Sequence, residues 1–128
     1  LIDDYDFVIV NYANGDMVGH TGNYNAAVKA VEELDRCIRN LYELSFQKDI
    51  LLIITADHGN CEEMIDKKGK PHTYHTTNEV PFIVCDKKYQ VKDGELSDIA
   101  PSILNILNIE IPKEMTGNVL IKKRKGVL

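Results

Sequence analysis

The sequence predicts an α/β fold, a mainly parallel sheet with flanking helices, on three observations. Short β-branched apolar runs punctuate the chain, a long amphipathic stretch separates the first two, and the polar segments that carry histidine follow the runs. The runs are Phe7-Val8-Ile9-Val10, Ile50-Leu51-Leu52-Ile53-Ile54 and Phe82-Ile83-Val84-Cys85. Strands apolar on both faces are covered on both faces, as at the centre of a parallel sheet.

The elements follow in order. After the first strand, Ala27, Ala30, Val31, Leu34, Ile38, Leu41 and Leu44 recur at spacings of three and four, with Lys29, Glu32, Glu33, Arg36 and Arg39 outside the stripe. That is one amphipathic helix. With the strands on either side it makes a βαβ unit, expected to cross over right-handed. The segment from Asn60 to Pro81 is a long polar connection with Gly69 and two prolines; connections of that length in a domain are commonly functional. A second helix is expected from about Asp98 to Leu107, with Ser97 as N-cap and Pro101 near its first turn. Pro112 bars a long continuation.

Composition narrows the function. The 128 residues are 44% hydrophobic and 27% charged, a globular balance. Twenty acidic residues against 15 basic ones give a net charge of −5, which argues against a general nucleic-acid surface. The basic run Lys122-Lys123-Arg124-Lys125 then reads as a solvated tail. No apolar run approaches the roughly 18 residues of a membrane span. Three cysteines without paired spacing suggest a reducing, cytoplasmic setting rather than a disulfide scaffold. The chain opens Leu1-Ile2-Asp3-Asp4 and enters a strand almost at once, so it reads as an incomplete domain from within a longer protein.

The histidines carry the chemistry. His20, His58, His72 and His75 each follow a predicted strand, and ligands of open parallel sheets bind at the carboxyl ends of the strands. Asp16 and His20 are four residues apart, close enough to share an ion if the turn is helical. Asp57 and His58 are adjacent, and either grip different sides of one ion or face different ions. Asp57-His58-Gly59 also fits a plain turn and helix cap. Mixed carboxylate and imidazole donors suit Mn²⁺, Zn²⁺ or Fe²⁺ better than Ca²⁺. Cys61, three residues after His58, is within reach of a metal but reads better as a buried thiol.

Three stretches carry a family resemblance: Asn11-Tyr12-Ala13-Asn14-Gly15-Asp16-Met17-Val18-Gly19-His20-Thr21-Gly22, Thr55-Ala56-Asp57-His58-Gly59-Asn60, and His72-Thr73-Tyr74-His75-Thr76-Thr77-Asn78-Glu79-Val80-Pro81-Phe82. They resemble, in order, signatures of the cofactor-independent (2,3-bisphosphoglycerate-independent) phosphoglycerate mutases. Gly94-Glu95-Leu96-Ser97-Asp98-Ile99-Ala100-Pro101 and Met115-Thr116-Gly117 are similar to that family too. The resemblance implies an alkaline-phosphatase-like domain with two Mn²⁺ ions or related metals. It implies interconversion of 3-phosphoglycerate and 2-phosphoglycerate, a step of glycolysis, through a phosphoserine. Asp16, His20 and His75 match the ligands of one ion, and Asp57 and His58 match ligands of the other. Asn14 and Asn60 are expected to support them as hydrogen-bond donors, and His72 either to stand behind the ligands or to be a structural loop residue.

The resemblance also marks what is absent. No family-type nucleophile surrounds Ser45, Ser97 or Ser102, and no substrate-binding domain is present. Residues 1–128 are thus expected to be a C-terminal fragment of the phosphatase-like domain, inactive alone. The uncovered sheet edge is expected to recruit a second copy or the remainder of the parent. Two alternatives stand beside this reading: another alkaline-phosphatase-like enzyme, such as a phosphopentomutase, or a non-catalytic metal-binding module.

Overall fold

In a computed structural model, residues 2–126 are described, and they group into two units. The first runs to Asn40 and takes in His58–Asn78; the second holds Leu41–Asp57 and the chain from Glu79 onward.

In the first unit, Phe7–Val10 forms no strand. Its side chains are 51%, 48%, 83% and 54% exposed, so this apolar run has neither ladder nor cover here. The short helix α1 (Asn14–Gly19) follows. Thr21 closes it, its hydroxyl donating to the Val18 carbonyl at 2.6 Å, and Asn23 opens the next helix by accepting the Ala26 N–H at 3.1 Å. A side-chain oxygen in that position satisfies a donor the helix itself leaves free. Helix α2 spans Tyr24–Gln47. The expected stripe is its less exposed side, with Ala27 buried, although Val31 falls outside it at 46% exposed. On the outer side Arg36 pairs with Glu33 and Arg39 with Asp35, one turn away in each case. The helix stops where Asp49 takes a positive φ of 53° and the Ile50 N–H returns to the Ser45 carbonyl at 2.8 Å. This is the left-handed stop that Asp and Asn tolerate better than branched residues.

The long connection is more ordered than its composition suggests. It leaves as Gly59–Met64, turns at Asp66–Lys70 and returns as Pro71–Thr76, with bridges Gly59↔Thr76 and Ile65↔Pro71. One Asp66 oxygen accepts the backbone N–H groups of Lys68 and Lys70, each at 2.8 Å, and so builds the turn.

In the second unit, β1 (Ile53–Thr55) pairs with β2 (Phe82–Val84), and β3 (Tyr89–Val91) pairs with β4 (Ile121–Lys123). Both pairs are antiparallel. The expected parallel sheet and βαβ crossover are therefore absent among the described residues. Continuous apolarity records coverage of two faces; it carries no information on strand direction. The basic run is solvated as expected, all four side chains being exposed, but part of it is a strand: Lys122 and Lys123 belong to β4, and the Arg124 side chain donates to the Tyr89 carbonyl at 3.1 Å.

Helix α3 spans Ile99–Ile106 after a short 3-10 turn at Leu96–Asp98. Its cap is Asp98 rather than the expected Ser97. One Asp98 oxygen accepts the Glu95 N–H at 2.9 Å and the other accepts the Asn118 N–H at 2.6 Å. Ser102 adds a second tie, donating to the Asp98 carbonyl at 2.7 Å and accepting the Leu120 N–H at 2.8 Å. Asp98, Ser102, Leu120 and Ile121 are all buried. This node joins the stretches around Gly94–Pro101 and Met115–Gly117 that the sequence set apart.

Candidate metal centre

Asp16 lies on α1 and His20 is its C-cap, one turn on, so the helix alone brings them together. His75 arrives from the returning arm of the connection, one residue before the Thr76 bridge. The Asp16 Oδ1 atom is 3.1 Å from His20 Nε2 and 3.0 Å from His75 Nε2, and the two Nε2 atoms are 3.1 Å apart. His20 Nδ1–H donates to the Thr73 carbonyl at 2.7 Å, which fixes the ring and turns the Nε2 lone pair into the triangle in the neutral imidazole. Three atoms able to ligate a metal therefore crowd one point. At most one shared proton relieves that crowding while both imidazoles are neutral. A divalent cation held by Asp16, His20 and His75 would relieve all three contacts. Two imidazoles and a carboxylate are the donor set of a first-row divalent transition metal.

The other expected residues are distributed unevenly. His58 stacks on His75, ring centroids 3.6 Å apart, and its Nε2 is 3.9 Å from the same Asp16 oxygen. Asp57 belongs to the second unit, just beyond β1, and is not a member of the Asp16–His20–His75 group. Asn60 is buried, and its amide donates to Asp16 Oδ1 at 2.9 Å. That bond comes first in holding the Asp16 carboxyl below the usual range, against burial and helped by His20, His75 and His58. Asn60 fits because residue 19 is glycine: a Cβ there would lie 2.1 Å from the Asn60 amide oxygen. Asn14, by contrast, makes no side-chain hydrogen bond among the described residues. His72 is half-buried, with its Nδ1 unpartnered and its ring edge-on to Tyr74. Cys61 points away from a ligand role: its thiol donates to the Gly15 carbonyl at 3.0 Å.

Sequence reasoning passed over Glu62, Thr76 and Asn78. Glu62 accepts the Asn60 N–H at 2.6 Å, the Asn78 amide at 3.0 Å and the Thr76 hydroxyl. Burial raises its pKa, but these bonds outweigh it and hold the carboxyl below the usual glutamate range. A carboxylate among Asn and Thr has no periodicity to betray it; only the fold of the connection reveals the partners.

Comparison with known proteins gives the site its setting. The sequence profile of the Metalloenzyme superfamily matches residues 1–111. The chain belongs to this superfamily. Its fold is accordingly that of the alkaline-phosphatase-like metalloenzymes, with a divalent metal as the expected resident of the triangle. The chain is 50% identical to a 2,3-bisphosphoglycerate-independent phosphoglycerate mutase of Moorella thermoacetica, over 95% of this chain and 24% of that protein. It is 54% identical to the enzyme of that name from Francisella philomiragia, over 94% of this chain and 24% of the relative. Against the one from Onion yellows phytoplasma it is 52% identical, over 93% of this chain and 23% of the relative. The resemblance read from the motifs is met by these relatives, and the chain spans about a quarter of their length. Among the described residues no helix is long and apolar enough to cross a membrane.

Proposed function

We propose that the chain serves a metal-dependent phosphoglycerate mutase, interconverting 3-phosphoglycerate and 2-phosphoglycerate in glycolysis through a phosphoserine, in the cytoplasm. The Asp16–His20–His75 triangle, in a chain half identical to enzymes of that name, carries the reading. In this reading Asp16, His20 and His75 hold one Mn²⁺, and Asp57 and His58 contribute to a second. A bound divalent ion supplies Lewis-acid polarisation and charge neutralisation at a phosphate oxygen. The chain's own residues hold that chemistry in place. Thr73 fixes the His20 ring, Asn60 holds Asp16, and His58 packs against His75.

Residues 1–128 would then be a C-terminal part of the phosphatase-like domain. The nucleophile and the substrate-binding domain would come from the rest of a longer enzyme. The coverage of the relatives supports this, as does the engagement of two of the serines: Ser102 is fully buried in the α3 node, and Ser45 is buried and donates to the Tyr42 carbonyl at 2.7 Å. In the same reading, Phe7–Val10 finds its parallel neighbours in that larger domain.

The test uses the full-length protein. Asp16→Ala and His75→Ala are each expected to abolish mutase turnover, and chelation with EDTA to do the same until Mn²⁺ is restored. The 128-residue chain alone should show no turnover. Near-normal turnover in either variant, or turnover by the isolated chain above a metal-free control, overturns the proposal.

A further inference from the structure

We propose that Glu62 is a positioning residue that locks together the two arms of the connection, and through them sets the geometry of the metal triangle. The inference rests on the metal reading above and adds a residue that no ligand motif contains. One arm holds His58 and Asn60; the other holds Thr73, His75, Thr76 and Asn78. Glu62 Oε2 accepts the Asn60 N–H at 2.6 Å, and Asn60 in turn donates to the ligand oxygen of Asp16 at 2.9 Å. Glu62 Oε1 accepts from Thr76, the neighbour of His75, and from Asn78 at 3.0 Å. A single carboxylate therefore touches both arms and is separated by one residue from each of two ligands, Asn60 standing before Asp16 and Thr76 before His75.

The backbone is shaped to permit this. A Cβ on residue 59 would lie 2.2 Å from the Thr76 hydroxyl and 2.3 Å from Glu62 Oε1, so glycine at that position leaves the room in which the two meet. At the triangle's end of the arms, Thr76 N–H donates to the Gly59 carbonyl at 2.9 Å; farther out, His72 N–H donates to the Met64 carbonyl at 2.9 Å. Between these two backbone bonds, Glu62 adds side-chain ties, to Asn60 on the outgoing arm and to Thr76 and Asn78 on the returning one. Partners behind metal ligands commonly govern affinity by about 10- to 100-fold.

The experiment compares full-length Glu62→Ala, Glu62→Gln, the Thr76→Val/Asn78→Ala double variant and His20→Ala. The readouts are Mn²⁺ affinity by calorimetry and the d–d absorption of the Co²⁺-substituted protein. Glu62→Ala should weaken Mn²⁺ at least tenfold and shift the cobalt bands. Glu62→Gln keeps one accepting oxygen for Thr76 and Asn78 and loses the Asn60 link, so it should recover part of both signals. The double variant leaves Glu62 in place and should shift the cobalt bands in the same direction as Glu62→Ala; it also carries the test if Glu62→Ala fails to fold. Unchanged affinity and spectrum in folded Glu62→Ala, or in the double variant, overturns the proposal. If His20→Ala also binds Mn²⁺ as well as the unmodified protein, it is the metal reading that fails.

Discussion

Asp16 in the first unit and Asp98 in the second are both carboxylates held by hydrogen bonds below their usual pKa, yet they are built for opposite ends. Asp98 is buried, and both of its oxygens are taken up by backbone N–H groups, those of Glu95 and Asn118. Both donors belong to the backbone of the node itself, so the carboxylate is engaged within the fold. Asp16 has one amide donor, Asn60, and otherwise faces the nitrogens of three imidazoles at 3.0, 3.1 and 3.9 Å. Backbone donors cannot move away or change protonation, so a carboxylate saturated by them is structural. A carboxylate that shares one point with imidazole nitrogens is placed to share a cation with them. The partners, more than the acid itself, separate a fold determinant from a site.

The largest test of this contrast is a double dissociation. His20→Ala removes one corner of the triangle and should weaken Mn²⁺ by more than the roughly hundredfold loss typical of supporting residues. It should leave the metal-free melting temperature close to that of the unmodified chain, because His20 is exposed. Ser102→Ala should do the reverse. It strands the buried Leu120 N–H and costs about 1–3 kcal/mol in urea unfolding, while calorimetry shows Mn²⁺ affinity unchanged. A shared response of both variants in either assay would erase the distinction.

Acid should probe the same contrast more gently. The Asp98 carboxyl is held low first by the Glu95 N–H and then by the Asn118 N–H, against burial. Its folded pKa therefore lies below its unfolded one, and the folded state binds fewer protons. The stability it contributes is fully present above the unfolded value of about 3.9 and is lost as pH falls through the folded value. Asp16 and Glu62 are lowered too and act in the same direction in the metal-free chain. Urea midpoints measured in EDTA between pH 6 and 3 should fall for the unmodified chain. In Asp98→Asn the midpoint should start lower and fall less steeply, since one titrating group has gone. An equally steep acid limb would show that Asp98 is not one of the groups that titrate.

Much of this was legible in the sequence where chemistry is local. Asp16 and His20 are one helical turn apart, so spacing alone suggested their pairing, and α2 could be read from its stripe. His75 was recognisable only through its motif, since nothing local says that the connection doubles back; the Asp66 turn that makes it do so lies several residues away. Strand direction was not legible, because the apolar runs look alike in parallel and antiparallel pairs. Phe7–Val10 shows the other limit. Its composition is that of a buried strand, but burial needs partners, and this chain supplies none to it among the described residues. Ser97 and Asp98 are both good capping types, and local sequence does not choose between them; the 3-10 turn at Leu96–Asp98 is what shifts the start of α3 by one residue.

The smallest expected effect concerns Cys61, which sits beside the cluster without joining it. Its thiol is pushed up first by burial and then by the negative charges of Glu62 and Asp16. The thiol also donates to the Gly15 carbonyl at 3.0 Å, a bond only the protonated sulfur makes. Alkylating reagents attack the thiolate, so a raised pKa slows them directly. Iodoacetamide labelling near neutral pH, read residue by residue by mass spectrometry, should therefore modify Cys61 several-fold more slowly in the folded chain than in urea, where burial and both charges are gone. Cys61→Ser keeps a donor for Gly15 and should alter stability by less than about 1 kcal/mol. Rapid labelling of folded Cys61 would mean that a thiolate stands beside the triangle, and the sulfur would then have to be counted among its donors.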